Sequence, residues 1–504
     1  MQIGVISLRH EITRAAFASG AVELVTRLLT ILLSIAVARA LDPHDVGLLG
    51  LAVIVVGTLS LIAGCAETAC VISRARGTDS QYARMAVVIR GAVTGILFPL
   101  VLLELPRIGQ LVAAPDGTAD ADLAVIVLVL LWQLVLELAG TYPRVLLQRR
   151  LNLTYLSGVS LLQVVAHLVL SVLLLWNGYG VVALAWVTVI AGGLSAVALW
   201  ARTWREPSLE QGSGGEAGRW KQALVSTAKV FTAGIVGYLN GRLDNVLVAT
   251  VVGPALMSFY AMAWSASRIP VSALIQGVGV VLVPVLAHLQ SDEDRLKALV
   301  RESLRHSYLL LAPVAAVLFV SGPSVVAAIL GVKWLPLVPC LRIMCLSILM
   351  GPLAVVCNAM LVAMGRPHLT GVATGAQLCV IVVLVSPLVR LWGILGAAVA
   401  DLVSTTVLTL VLFATARHAA PQVKWRFLSA AGVPIVAASS AGLLTLTLGA
   451  DLPLGLFRFA CDLVLISVAY PALVFVLGGR VRLREFATLL RGLRGQAARS
   501  RVSA

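Results

Sequence analysis

The feature that most constrains this chain is a series of apolar runs, each about 20 residues long. At 1.5 Å per residue, a helix of that length crosses the roughly 30 Å hydrocarbon core of a bilayer. Only 12% of the residues are charged, about half the share found in soluble domains. The sequence therefore predicts an all-α polytopic membrane protein with about 14 transmembrane helices. The predicted spans lie at residues 15–40, 46–72, 83–103, 123–143, 154–176, 179–200, 224–252, 254–286, 303–330, 337–363, 370–390, 393–416, 427–449 and 455–478.

The loops between the predicted spans alternate in charge. The segments assigned to the cytoplasm contain 27 Lys and Arg residues, whereas the opposite loops contain four. This asymmetry follows the positive-inside rule and predicts that both termini are cytoplasmic. The same basic segments account for the net charge of +15, so the charge does not indicate a nucleic-acid partner.

An internal repeat divides the predicted spans into two lobes. A shift of 211–215 residues places "LDPHDVGLLGLA" (41–52) on "VGPALMSFYAMA" (252–263), and "GYGVVALA" (178–185) on "LWGILGAA" (391–398). Six spans per copy give both copies the same topology, and parallel repeats of this kind occur in transporters. The predicted domains are an N-terminal six-helix lobe with a cytoplasmic leader (1–200), a cytoplasmic linker (201–222), a C-terminal six-helix lobe (223–418), two additional transmembrane helices (419–478) and a basic cytoplasmic tail (479–504).

Polar side chains recur on single faces of the predicted spans, although a charge inside a bilayer is costly. In the seventh span Asn240 and Asp244 are predicted to share one helical face, with Arg242 on a different face. In the first span Glu23 and Arg27 stand one turn apart, where they can also simply neutralise each other. Single polar stripes are usually packing contacts between helices. Because eight spans from both lobes carry them, they predict one hydrated cavity between the lobes.

Several segments resemble a known transporter family. The stretches "ARALDPHDVGLLGLA", "RLDNVLVATVVGPALMSFYAMA", "GVKWLPLVPCLRIM" and "AMGRP" are similar to the polysaccharide-transporter (oligosaccharide flippase) family of the multidrug/oligosaccharidyl-lipid/polysaccharide exporter superfamily. The resemblance covers roughly residues 15–420, with Ser258 where the family usually has Gly. It implies a multi-pass protein of the bacterial inner membrane that flips polyprenyl-diphosphate-linked oligosaccharides, the repeat units of an exopolysaccharide or O-antigen. Its implied partners are this lipid-linked oligosaccharide, membrane lipid, and a polysaccharide polymerase and glycosyltransferases.

The resemblance gives the polar residues candidate roles. Arginine binds phosphate oxygens through a planar, permanently charged fork, and neutral amides suit the hydroxyl groups of a sugar. The candidate substrate-binding residues are Arg27, Arg90, Arg242, Arg268, Asn240, Gln163 and Gln377. The acids within the spans outnumber these arginines, so the acids either pair with arginines or couple transport to an ion. The candidate ion-coupling residues are Glu23, Glu137, Asp244, Asp401 and His167, although His167 also fits a hydrogen-bonded packing role.

Three alternative functions remain open at this point. A lipid II flippase has nearly the same architecture and differs only in its lipid-linked substrate. A drug/cation antiporter of the same superfamily typically has twelve spans, two fewer than predicted here. A membrane glycosyltransferase or polymerase generally needs a large outer loop, whereas the longest outward loop (104–122) has no paired-carboxylate or histidine-based catalytic spacing. We therefore predict a transporter without enzymatic activity, catalytic residues, metal ligands or a cofactor.

Overall fold

A computed structural model of the chain describes residues 22–72, 79–111, 121–204, 216–289, 292–420, 429–448 and 456–478. These residues form helices and contain no strand, which confirms the all-α prediction. A π-helical turn (Ile275–Gly279) precedes α9, and a 3-10 turn (Val332–Leu337) precedes α12. The helices are α1 (22–40), α2 (Pro43–Ile72), α3 (Asp79–Leu111), α4 (Ala121–Arg149), α5 (Leu153–Trp176), α6 (Val181–Thr203), α7 (Glu216–Asn240), α8 (Leu243–Leu274), α9 (Val280–His288), α10 (Glu293–Val320), α11 (Gly322–Ile329), α12 (Val338–Ile348), α13 (Gly351–Ala363), α14 (Pro367–Trp392), α15 (Ile394–Ala419), α16 (Ser429–Leu448) and α17 (Leu456–Gly478).

Helical structure lies on all fourteen predicted spans within the described residues. Ten of the described helices are long and apolar enough to cross a membrane, and an eleventh span results if the pair Val332–Ile348 and Gly351–Ala363, bent by 41°, counts as one. The multi-pass membrane architecture is therefore confirmed, while the count of fourteen stays a prediction. The basic tail, residues 1–21 of the predicted leader and first span, and residues 205–215 of the linker lie outside the described residues.

The structure corrects the predicted seventh span, which was expected to be one continuous helix over 224–252. Helix α7 ends at Asn240, and a turn at Gly241 and Arg242 separates it from α8. The amide of Arg242 donates to the carbonyl of Leu239 at 3.2 Å, the three-residue spacing of a tighter turn. An Asn-Gly pair favours a turn over a continuing helix. Asn240 and Asp244 consequently lie on two different helices and do not share one helical face as predicted.

The predicted boundary between the seventh and eighth spans coincides with a bend inside α8. Gly253 has a φ of 84°, which a glycine adopts readily, and Pro254 follows it. Proline is well placed at the start of a helical segment, because the amide it lacks would have no partner in the helix. Pro43, which the internal repeat aligns with Pro254, likewise begins α2.

The chain divides into two compact units, Met1–Ser258 and Phe259–Ala504. In the first unit α2 packs against α3, α4 and α7, and α4 also packs against α6. In the second unit α15 packs against α12, α13 and α14, while α16 packs against α10 and α17. The hydroxyl of Tyr470 on α17 donates to the carbonyl of Leu309 on α10 at 3.1 Å. The last two helices are therefore anchored to the second unit by packing and by a buried hydrogen bond.

The α14–α15 hairpin is so tight that a side chain at Gly396 has no room. A Cβ at this position would lie 2.0 Å from the carbonyl oxygen of Leu388. We expect Gly396→Ala to destabilise the protein by about 1–3 kcal/mol, the usual cost of overpacking, although alanine normally favours a helix. Thermal unfolding of the purified variant in detergent measures this. Gly371→Ala on α14 is the control, because a Cβ there meets no atom within 4 Å. Equal melting temperatures for the two variants would contradict the close approach.

Candidate functional site

Four charged side chains from three helices meet inside the first unit. Arg90 on α3 donates from one terminal nitrogen to Glu67 on α2 and from the other to Glu137 on α4. A terminal nitrogen of Arg144 lies 3.8 Å from the second carboxylate oxygen of Glu67. The Arg90 side chain is only 2% exposed. Two positive and two negative charges balance, as charged groups buried in a helix bundle require.

Two neutral side chains of α4 complete this cluster. The hydroxyl of Thr141 donates to Glu67 at 2.8 Å, and the amide of Gln133 donates to Glu137 at 3.0 Å. Gln133, Glu137, Thr141 and Arg144 recur at three- or four-residue intervals, so they lie on one face of α4. We call the six residues Glu67, Arg90, Gln133, Glu137, Thr141 and Arg144 the Arg90 network.

The sequence alone did not connect the residues that form the Arg90 network. Arg90 was predicted to bind substrate and Glu137 to couple transport to an ion, and Arg144 was one of the 27 Lys and Arg residues of the predicted cytoplasmic segments. Both terminal nitrogens of Arg90 are bonded to carboxylates, so pairing with an arginine is the arrangement observed for Glu137. The helical period of α4 was the available signal for Arg144. The substrate and coupling roles of Arg90 and Glu137 stay predictions.

The second unit contains another buried ion pair. Arg268 on α8 donates to Asp401 at 2.9 Å and to the hydroxyl of Thr405 at 3.2 Å, both on α15. Its guanidinium also lies 5.4 Å from the ring centre of Trp264. Asp401 is 2% exposed, whereas Arg268 is 30% exposed. The buried carboxylate thus holds a guanidinium that keeps part of its surface accessible.

The acidic candidate Glu23 and the basic candidate Arg27, both on α1, also form an ion pair. A guanidinium nitrogen of Arg27 lies 3.2 Å from a carboxylate oxygen of Glu23, one helical turn away. Both side chains are about half exposed within the structure. The pair matches the mutual neutralisation that the sequence left open, and the remaining exposure leaves Arg27 accessible for a ligand.

Arg242, in the turn between α7 and α8, differs from the other candidate arginines, which are paired with carboxylates. Asp244 is buried and accepts hydrogen bonds from the backbone amide and the side-chain amide of Asn245, at 2.8 and 3.1 Å. Arg242 is exposed and forms no ion pair with any described residue. Of the four candidate arginines, Arg242 is therefore the one whose charge is not compensated by a carboxylate in the described part of the chain.

The remaining candidates lie on α5, α7 and α14. Gln163 and His167 are half-buried on one face of α5, and Gln377 is buried on α14. Asn240 is half-buried at the end of α7. The roles predicted for these four residues stay predictions.

Comparison with known proteins identifies the family. A family model described as "Polysaccharide biosynthesis protein" matches residues 36–339. The chain belongs to this family. The matched region contains the whole Arg90 network, Arg242 and Arg268, whereas Asp401 and the last two helices lie beyond it. The predicted membership of the polysaccharide transporters is confirmed.

Two curated bacterial proteins are similar to parts of the chain. It is 25% identical over 184 residues to "Uncharacterized membrane protein in cps region" of Klebsiella pneumoniae, which covers 36% of this chain and 38% of that protein. It is 26% identical over 111 residues to "Lipopolysaccharide biosynthesis protein WzxC" of Escherichia coli (strain K12), which covers 22% of this chain and 23% of that protein. The chain matches less than half of the length of each of these relatives.

Solved structures show the same fold over much longer stretches. The inward closed conformation of the lipid II flippase MurJ aligns with a TM-score of 0.75 and 12% identity, covering 91% of this chain and 98% of that chain. An inward-facing multidrug resistance transporter of the MATE family aligns with a TM-score of 0.63 and 17% identity, covering 80% and 96%. At these identities the likeness establishes the fold, a polytopic helical transporter fold.

Proposed function

We propose that this protein moves a polyprenyl-diphosphate-linked oligosaccharide across the bacterial inner membrane by alternating access. The observation that carries the proposal is the polysaccharide biosynthesis family match over residues 36–339, on a fold shared along 98% of a solved lipid flippase chain. The transported unit is then an exopolysaccharide or O-antigen repeat unit, made by glycosyltransferases on the cytoplasmic side and joined by a polymerase outside. Both termini are proposed to be cytoplasmic, as the charge asymmetry of the loops indicates.

The arginines of the membrane helices support an anionic lipid as the substrate. A diphosphate offers several oxygens that a guanidinium binds through parallel hydrogen bonds. Arg242 is exposed without a carboxylate partner among the described residues, and Arg268 and Arg27 keep accessible surface. We propose that Arg242 contacts the diphosphate directly, with Arg27 and Arg268 as further contacts.

Lipid II is the closest alternative substrate, because it is also a polyprenyl diphosphate carrying a saccharide. The family description and the WzxC relative, a lipopolysaccharide biosynthesis protein, favour a polysaccharide repeat unit instead. A drug or cation antiporter is less well supported. The MATE structure aligns with 80% of this chain and MurJ with 91%, so the fold of the flippase matches a larger share of this chain.

Removal of the protein should leave its substrate on the cytoplasmic side of the membrane. In a strain lacking the gene, we expect lipid-linked oligosaccharide to accumulate and to resist labelling by a membrane-impermeant, sugar-directed probe added to spheroplasts. Expression of the wild-type protein should restore labelling and polysaccharide export.

A control strain depleted of its lipid II flippase separates the two substrates. If this protein restores growth there, lipid II belongs among its substrates and the restriction to polysaccharide units is wrong. Normal labelling in the deletion strain would show that another protein moves the oligosaccharide.

A further inference from the structure

A cleft of about 570 Å³ opens in the first unit where α5 begins and α6 ends. Asn152, Thr154 and Arg202 are polar residues of its lining, and Gly158, Val159 and Leu162 form much of the apolar part. Among the residues that the structure describes, those lining the cleft include no carboxylate. One end is therefore polar and cationic, and the other is apolar.

The polar end suits an anionic group. Arg202 contributes a permanent positive charge from the last turn of α6. The first-turn amides of a helix have no acceptor within the helix, and the side chain of Asn152 does not cap them in α5. The partial positive charge of this helix end therefore adds to that of Arg202.

The apolar part suits a hydrocarbon chain. Gly158 leaves open space beside α5, because a Cβ at this position meets no atom within 4 Å. Helix α5 is long and apolar enough to span a membrane, and only 11% of its span is buried within the structure. An extended chain entering the cleft can thus continue along the accessible surface of α5.

The cleft also lies at a depth where headgroups are expected. The charge pattern of the loops predicts that the α4–α5 turn, which contains Arg150, and the end of α6 are both cytoplasmic. Trp204, at the end of α6, is 85% exposed, as befits an aromatic residue at the membrane interface. The cytoplasmic leaflet carries anionic lipids that attract such basic segments.

We propose that this cleft binds an anionic phospholipid of the cytoplasmic leaflet. Its phosphate lies against Arg202 and the first turn of α5, and one acyl chain lies along Gly158, Val159 and Leu162. A phospholipid fits better than a free anion, because the cationic end is continuous with an apolar slot. The site is independent of the transported substrate and requires that α5 and α6 span the membrane with the α4–α5 turn on the cytoplasmic side.

The test compares the melting temperature of the detergent-purified protein titrated with phosphatidylglycerol or with phosphatidylcholine of the same acyl chains. Phosphatidylglycerol should stabilise the wild-type protein at a lower concentration than phosphatidylcholine does.

Three variants test the parts of the site. Arg202→Gln should weaken the apparent affinity for phosphatidylglycerol about fivefold, the effect of about one interfacial cation. Gly158→Leu fills the slot without changing any charge and should also weaken it. Arg84→Gln, on the exposed surface of α3, removes a charge elsewhere in the unit and should not.

Native mass spectrometry of the purified protein provides a second readout that needs no variant, since phosphatidylglycerol should remain bound in preference to phosphatidylcholine. Equal effects of the two lipids, or an equal loss in Arg84→Gln and Arg202→Gln, would overturn the site. Equal stabilisation by inorganic phosphate would show a free-anion site. Displacement of phosphatidylglycerol by equimolar polyprenyl diphosphate would show a loading site for the transported lipid instead.

Discussion

Arg90→Leu is expected to lower the free energy of unfolding by about 3–5 kcal/mol, because it leaves two carboxylates without their shared cation. Glu67 and Glu137 both bond to Arg90 in a site where the arginine is almost fully buried. An uncompensated buried charge costs far more than the pair contributes when intact. The measurement is the melting temperature and the folded yield of the purified variant.

A triple variant distinguishes charge imbalance from lost packing. Arg90→Leu combined with Glu67→Gln and Glu137→Gln removes all three charges, and we expect it to recover much of the lost stability. Arg84→Gln, an exposed change on the same helix, should leave stability unchanged. A single Arg90→Leu variant as stable as the wild type would show that the network does not support the fold.

Arg242→Ala is expected to reduce oligosaccharide export about ten- to a hundredfold while the amount of folded protein stays normal. The expected range corresponds to the loss of a charge-assisted hydrogen bond to a phosphate. Normal abundance is expected because Arg242 is exposed and forms no ion pair with the described residues. Lysine should rescue poorly, since it lacks the planar fork of arginine. Export per molecule of folded protein is the quantity to measure.

Arg268 provides the contrasting case. Arg268→Ala should lower both export and abundance, because it leaves the buried carboxylate of Asp401 without its cation. Addition of Asp401→Asn should restore abundance but not export. If Arg242→Ala exports normally, or if its defect disappears when export is divided by abundance, Arg242 does not contact the diphosphate.

The sequence predicted the helices well because a lipid environment leaves the backbone few alternatives. A segment in hydrocarbon must satisfy its own hydrogen bonds, so long apolar runs become helices. The breaks inside the runs were harder to predict. The run at 303–330 is interrupted at Ser321, between α10 and α11, within the short stretch Ser-Gly-Pro-Ser (321–324). Hydropathy averages over a window of about 20 residues and therefore does not detect a break as short as this one.

Candidate polar residues were predicted from the sequence, but their partners on other helices were not. Helical spacing connects residues such as Glu23 and Arg27 on one helix. It contains no information about contacts between α2, α3 and α4, on which the Arg90 network depends. Asn240 and Asp244 show the opposite error, because helical spacing was applied across Gly241, where the helix ends.

Insertion of the helices into the membrane also constrains how the charges of the Arg90 network are distributed along the chain. An isolated charged residue at the centre of an inserting helix costs about 2.5–3.5 kcal/mol. Glu67 on α2 and Arg90 on α3 belong to consecutive helices, so the two can enter the bilayer together as a hairpin that is already neutral. Glu137 and Arg144 are both on α4, which follows in the chain and brings one charge of each sign. The order of the charges along the chain thus allows each step of insertion to add no net charge to the bilayer.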